Sequence, residues 1–360
     1  MRPALLAAVL LLTLLVQGAA RPARLGELTA VTNTGDAGFT LLTADAIYLA
    51  REDGRVSAIP LVPGGPSWSV RVDGVSPLTL SLADGTLVVR PTTSFLDART
   101  GRERWRTQGP SYVRVLGDRV AYADLSGTLR MADVATGRVL WQRATSAWTF
   151  DGDVENRYVI GIDGEGRAVV YSAVDGSVIS GEKDLAVDTS GPDTVGVAPT
   201  EIIGDTIYMY GQTSLAAYRL RDLAPLWRIP ITPDQVGPCG NLICVTAERG
   251  AWGLDPATGA VRWHSPRWRV IDPDGLAVAR DQRVARIDPA TGRVVRELGH
   301  GSLAGDLLLR YDRDHTFVTR SADGRVLGGL PVFAPSGCNA AGRFLACPAS
   351  GRSLTVWRIS

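Results

Sequence analysis

The chain has 360 residues, with 38 Lys+Arg against 37 Asp+Glu and a formal net charge of +1. The two signs are interspersed, which excludes a basic nucleic-acid-binding surface, and no nucleic acid is expected as a partner. Hydrophobic residues make up 45% of the chain, enough for a core, while 40 glycines and 21 prolines give the turn density of an all-β protein. Lys183 is the single lysine, so lysine-based covalent chemistry has almost no foothold.

The chain opens with Met1-Arg2, an apolar run from Ala4 to Val16 broken only by Thr13, and the small residues Gly18-Ala19-Ala20 ahead of Arg21. That pattern is an export signal, and its apolar run falls short of the roughly 17–25 residues of a spanning helix. Residues 1–20 are therefore expected to be a signal peptide or an N-terminal membrane anchor, and 21–360 one folded domain outside the cytoplasm, secreted or tethered to the outer face of the cytoplasmic membrane. Membrane contact is expected only through this segment. A lipoprotein anchor needs a cysteine just after the apolar run, and the first cysteine is Cys239.

Leu25 to Val31 reads as a strand with no hairpin partner of its own. Short apolar strands then recur, usually after Asp-Gly or Gly-Asp: Ala46–Leu49, Thr86–Val89, Arg119–Tyr122, Tyr158–Ile160, Thr206–Met209, Asn241–Cys244, Gly275–Val278, Asp306–Leu309 and Arg343–Ala346.

Between these strands one phrase appears four times. Asp97-Ala98-Arg99-Thr100-Gly101 leads to Trp105, Asp133-Val134-Ala135-Thr136-Gly137 to Trp141, and Asp255-Pro256-Ala257-Thr258-Gly259 to Trp263. The fourth copy, Asp288-Pro289-Ala290-Thr291-Gly292, reaches Arg296 instead. Asp-x-x-Thr-Gly is a hairpin turn in which aspartate caps the turn amides and glycine supplies positive φ. A buried tryptophan removes roughly 150–250 Å² from water, on the order of 4–6 kcal/mol gross, so the rings are expected to pin neighbouring sheets together.

Aligning degenerate copies gives anchors at Gly64, Gly101, Gly137, Gly176, Leu223, Gly259, Gly292 and Gly324, at steps of 32 to 47 residues. The position four residues beyond each anchor holds Trp68, Trp105, Trp141, Ser180, Trp227, Trp263, Arg296 and Gly328. No helical period is sustained, and units of this length supply about four strands, which close most naturally into a propeller. The final strand Ser353 to Arg358 stops where the next turn is due, so Leu25 to Val31 is expected to complete its sheet and latch the ring. Eight anchors plus this composite unit make nine; eight blades are expected, with seven or nine open. The longest step contains Gly181 to Thr200, a polar loop of the sort that carries function on rigid scaffolds, although a plain crossover between blades explains it as well.

Cys239 and Cys244 bracket one loop-into-strand segment, and Cys338 and Cys347 another. Of three connectivities local pairing is expected, each bridge contributing about 2–3 kcal/mol by the chain-entropy model. Neither spacing is that of a zinc site. Asp151-Gly152-Asp153-Val154-Glu155-Asn156 and Asp272-Pro273-Asp274-Gly275 lack the full alternating oxygen set of a calcium loop and read as turns. His264, His300 and His315 have no partner at metal or triad spacing. Gly299-His300-Gly301-Ser302-Leu303-Ala304-Gly305 misses the dinucleotide fingerprint by one residue and leads into a strand rather than a helix.

The four strong copies resemble the tryptophan-docking repeat of the quinoprotein, or PQQ-like, β-propellers, typified by bacterial alcohol dehydrogenases that carry pyrroloquinoline quinone. They are also similar to shorter non-enzymatic relatives, the scaffold protein of outer-membrane assembly and the exported sensor propellers of actinobacterial kinases. The resemblance implies a small residue two positions before each motif aspartate, against which a tryptophan docks. Here those positions hold Phe95, Met131, Gly253 and Arg286, so an irregular docking belt is expected. A quinoprotein dehydrogenase implies a funnel built by long insertions, a calcium, an aspartate base and, in the large alcohol dehydrogenases, adjacent cysteines. The chain has no Cys-Cys dipeptide and no residue to carry over. The expectation is thus a monomeric, exported, non-catalytic propeller without cofactor, catalytic residues or metal ligands, presenting a face or its channel to a protein partner or small ligand. A PQQ-dependent oxidoreductase and a ligand-binding sensor are the alternatives.

Overall fold

The computed structural model describes residues 26–359 apart from 36–37, 74–77, 92, 108–111, 125–126, 148, 154, 186–199, 212, 313–314, 331–336 and 350–352. The expected export segment, 1–20, lies outside the described residues, as do most of the polar stretch after Gly181 and residues 350–352 ahead of the last strand. Among the described residues every regular element is a β-strand, and no helix is long and apolar enough to cross a membrane.

Among the described residues the strands form eight hydrogen-bonded sheets, seven of four strands and one of seven. Six of the four-stranded sheets are simple antiparallel meanders in chain order, such as Phe39–Leu42, Ala46–Ala50, Arg55–Pro60 and Trp68–Arg71. The expected recurring strands are the second of each unit. They are buried along both faces, Ala46–Ala50 and Leu242–Ala247 throughout. That is why they read as unbroken apolar runs rather than alternating ones.

The seven-stranded sheet runs from Trp268–Ile271 to Val326–Leu330 and depends on one 11-residue strand, Val294–Ala304. Its first part pairs with Arg283–Ile287 and its last part, Gly301 to Ala304, with Leu307–Asp312. Gly299 takes φ +97° at the changeover, and a Cβ on Gly301 would meet the Leu309 carbonyl at 2.2 Å. The glycine-rich phrase that approaches a dinucleotide fingerprint is therefore the bend of a shared strand. Among the described residues continuous sheets number eight, and with this strand serving twice they divide into nine four-stranded units.

First strands of successive units touch one another: Phe39–Leu42 against Thr79–Ala83, Tyr112–Leu116 against Thr149–Gly152, and Thr149–Gly152 against Thr200–Ile203. Phe39–Leu42 also touches Asn339–Ala341 of the last unit, so the row of sheets returns on itself with first strands innermost. The last sheet has the order Thr29–Asn33, Leu354–Arg358, Phe344–Pro348, Asn339–Ala341. Thr29 pairs with Arg358 and Asn33 with Thr355, and the Thr34 amide donates to the Leu354 carbonyl at 2.9 Å. The two ends of the domain are stitched into one sheet. The strand begins later than the expected Leu25, because Glu27 bridges to Gly329 and Leu28 enters the neighbouring seam.

Cys239–Cys244 and Cys338–Cys347 lie at bonding distance, with S–S separations of 2.02 and 2.07 Å. Each pair joins the first-strand segment to the second strand of its own sheet.

Candidate functional site

The Asp-x-x-Thr-Gly turns connect third to fourth strands. Asp97 Oδ1 accepts from the Thr100 amide at 2.8 Å and its hydroxyl at 2.9 Å, while the Gly101 amide donates to the Asp97 carbonyl at 2.8 Å. Asp133 with Thr136 and Asp255 with Thr258 repeat the arrangement; at Asp288 the Thr291 hydroxyl donates to Oδ2 at 2.8 Å. Arg104 donates to Asp97 at 2.7 Å and, with the Thr100 bonds, holds its carboxyl at about 2. Arg262 and Thr258 likewise hold Asp255 low, and Thr136 lowers Asp133.

The glycine that ends each turn serves the neighbouring unit as well. Trp68 lies over Gly101, Trp105 over Gly137, Trp141 over Gly176, Trp227 over Gly259 and Trp263 over Gly292; a Cβ on any of these glycines would sit 2.5–2.7 Å from an indole carbon. Each indole N–H donates across the seam to the residue three before that glycine: Trp68 to Ala98 O at 2.9 Å, Trp105 to Val134 O at 3.0 Å and Trp141 to Ala173 O at 3.1 Å. Trp227 donates to Pro256 O at 2.9 Å and Trp263 to Pro289 O at 2.8 Å. The other face of the ring covers its cross-strand partner, as where Trp105 stacks on Phe95 at 3.6 Å and 7°. Each tryptophan is thus clamped between its own third strand and the next unit's turn, whatever the size of the residue beneath.

Ser180, Gly328 and Arg296 stand where a ring would, and each of these seams is treated differently. At Ser180 the anchor is Leu223, with φ +53° and a buried side chain. The leucine replaces both glycine and part of the missing indole. At Gly328 the side chain of Leu28 lies where a Cβ would be, 2.5 Å away. At Arg296 the anchor Gly324 keeps φ +75° and has nothing within 4 Å of a would-be Cβ. Clefts of about 590 Å³ and about 400 Å³ open at the Ser180 and Arg296 seams respectively.

A second feature has no counterpart in the sequence motifs. On the inner strands Arg114 forms a 2.8 Å ion pair with Asp151 of the next unit. Burial pushes the Asp151 carboxyl up, with Arg114 opposing. Glu201, one unit further, is also pushed up, first by desolvation and then by the charge of Asp151. Exposed Tyr112 packs at a tilt on Phe150, and Tyr112 and Tyr210 are both raised, mainly by desolvation. A polar, aromatic patch therefore spans three units near the axis.

The acidic stretches are engaged locally. Asp153 accepts from the amides of Arg157 and Tyr158 and pairs with the Arg157 guanidinium at 2.9 Å, and Asp272 accepts from the Leu276 amide at 2.7 Å. His264 stacks on Trp252 with its Nε2 3.3 Å from the Arg249 carbonyl. No group of three or more His, Cys, Asp and Glu is arranged to hold a metal among the described residues. The stretch from Gly181 begins as strand, Val178–Asp184, and the chain re-enters the described fold at Thr200.

No curated protein matches the chain. Among solved structures it is similar to BamB from Moraxella catarrhalis, with a TM-score of 0.53 and 16% identity over 92% of this chain and 100% of that one. It is similar also to the computationally designed Ika8 protein (TM-score 0.52, 12% identity, 93% and 100% covered). A third likeness is to the C-terminal WD40 domain of Sif2 (TM-score 0.52, 9% identity, 93% and 99% covered). Such likenesses show the fold, an all-β propeller. The family model described as outer membrane protein assembly factor BamB matches residues 20–180 and 94–237, more than half of the chain. Tryptophan seams, a latched ring and this match together place the chain in the PQQ-like β-propeller family, to which it belongs.

Proposed function

We propose that the protein is an exported, non-catalytic scaffold of the cell envelope that docks a protein partner on its propeller surface. The observation that carries this reading is the family match, whose description is that of an outer-membrane assembly factor. Two cysteine pairs at bonding distance support an oxidising compartment. The patch of Tyr112, Arg114, Asp151 and Glu201 supports docking near the axis, because it joins an exposed aromatic to groups that donate and accept hydrogen bonds. The scaffold works as a monomer and without pyrroloquinoline quinone.

Crosslinking in intact cells followed by affinity purification tests the reading. One envelope protein is expected in near-stoichiometric amount, and its yield is expected to fall at least tenfold with Tyr112→Ser combined with Arg114→Glu. Recovery of no enriched protein, or of one unaffected by these changes, contradicts the docking surface. The rival chemistry is tested by incubating the purified chain with pyrroloquinoline quinone and calcium and following dye reduction with alcohols and sugars. No turnover is expected, and turnover refutes a non-catalytic role.

A further inference from the structure

We infer that the seam between Arg296 and Gly324 is a binding site for a small planar aromatic carboxylate of about the size of an indole acid. Five other seams show what this geometry receives: a flat ring laid on a turn glycine, with its N–H on the carbonyl three residues before it. Here the platform is intact, since Gly324 keeps the turn conformation and Ser321 supplies the equivalent carbonyl. That carbonyl takes only a 3.4 Å bond from Arg286 and has a second lone pair to offer. The ring is missing because Arg296 stands in the tryptophan position, opposite Arg286 in the register that sets Trp263 opposite Gly253.

Leu223 fills part of the Ser180 seam, where a cleft of about 590 Å³ stays open beside it, and Leu28 fills the seam at Gly328. Of these three, the Arg296 seam is the one that sets an arginine in the tryptophan position against a bare turn glycine. Its cleft of about 400 Å³ is lined by Arg296, Gly299, Arg310, Thr319, Ser321 and Gly324 among others, a volume in the range of small-ligand pockets. Thr319 is 3% exposed, and its hydroxyl has no hydrogen-bond partner among the described residues. A buried hydroxyl left unpaired is costly and points to a missing polar group. The charge at the rim decides the rest of the ligand. Asp323 is engaged with Arg320 and Glu297 with Arg267, while no carboxylate lies within 4.0 Å of the guanidinium of Arg296 or Arg310 among the described residues. Guanidinium groups bind carboxylates in bidentate fashion. A ring on Gly324 and a carboxylate at the arginines satisfy both halves of the cleft.

Titration calorimetry of the full domain with N-acetyl-tryptophan, using N-acetyl-tryptophanamide and indole as comparisons, tests the site. The acid is expected to bind at least tenfold more tightly than the amide or indole. Arg296→Trp is expected to supply the ring in cis, raising the melting temperature by a few degrees and abolishing binding. Arg296→Gln, which leaves the seam open, is expected to weaken the acid about tenfold while the amide is unchanged, and Thr319→Val to weaken the acid severalfold. Absence of binding to the native chain, equal binding of acid and amide, or binding undiminished in Arg296→Trp overturns the inference.

Discussion

Trp105 lies so close over Gly137 that a methyl group on that glycine would fall 2.5 Å from the indole Cδ2. The two residues belong to different sheets, so the turn of one unit and the fourth strand of the previous one are a single packing object. Gly137→Ala meets two penalties, a φ of +70° that alanine tolerates poorly and a ring with nowhere to move. A loss of roughly 2–4 kcal/mol in denaturant unfolding is expected. Gly324→Ala, with the same φ class and no ring above it, should lose only about 1 kcal/mol.

The hydrogen bonds across the seams are not equivalent. Ala173 O accepts from Trp141 and also from Arg119 at 3.0 Å. Replacing Trp141 with phenylalanine therefore leaves that carbonyl a donor. Trp263→Phe leaves Pro289 O without its indole donor and should cost about 1 kcal/mol more than Trp141→Phe. Equal losses in paired urea melts would show that ring area alone decides the seam.

Asp97 makes stability depend on acid. Its folded pKa of about 2 lies below the ordinary 3.8, so its contribution is complete above about pH 4 and disappears as pH falls through 2. Asp97→Asn should flatten the dependence of the melting temperature on pH between 4 and 2. An unchanged slope would remove Asp97 from the acid-sensitive groups.

Asp151 has the opposite sign. Burial raises its folded pKa, so the folded state favours the protonated form, and this contribution is lost as pH rises through that value. Arg114 offsets the cost through its 2.8 Å ion pair. Arg114→Met should destabilise the protein by roughly 1 kcal/mol at neutral pH and by almost nothing below about pH 4. A loss independent of pH would assign Arg114 a packing role instead.

What could be read from the chain was what each unit repeats within itself. Asp97, Gly101 and Trp105 announce a turn and a ring, and the unfinished last strand announces a partner from the first. The Gly299 strand was not legible as shared, because its two halves separately carry ordinary strand patterns and only the bend joins them. Ser180 and Leu223 looked like decay of the motif; the structure shows a coupled exchange, in which loss of the ring frees the anchor to carry a side chain. The patch of Arg114, Asp151 and Glu201 had no sequence signal, since three units contribute one charged residue each and only ring topology assembles them.

The ring itself is tested most directly by a crosslink across its latch. Asn33 pairs with Thr355, and the Asn33 Nδ2 donates to the Thr355 hydroxyl at 3.2 Å. In the double variant Asn33→Cys, Thr355→Cys, peptide mapping of the folded, oxidised protein should find the two new cysteines joined to each other and the original four unchanged. New cysteines that remain free under folding conditions would mean that the chain ends do not share a sheet, and the closed ring would be wrong.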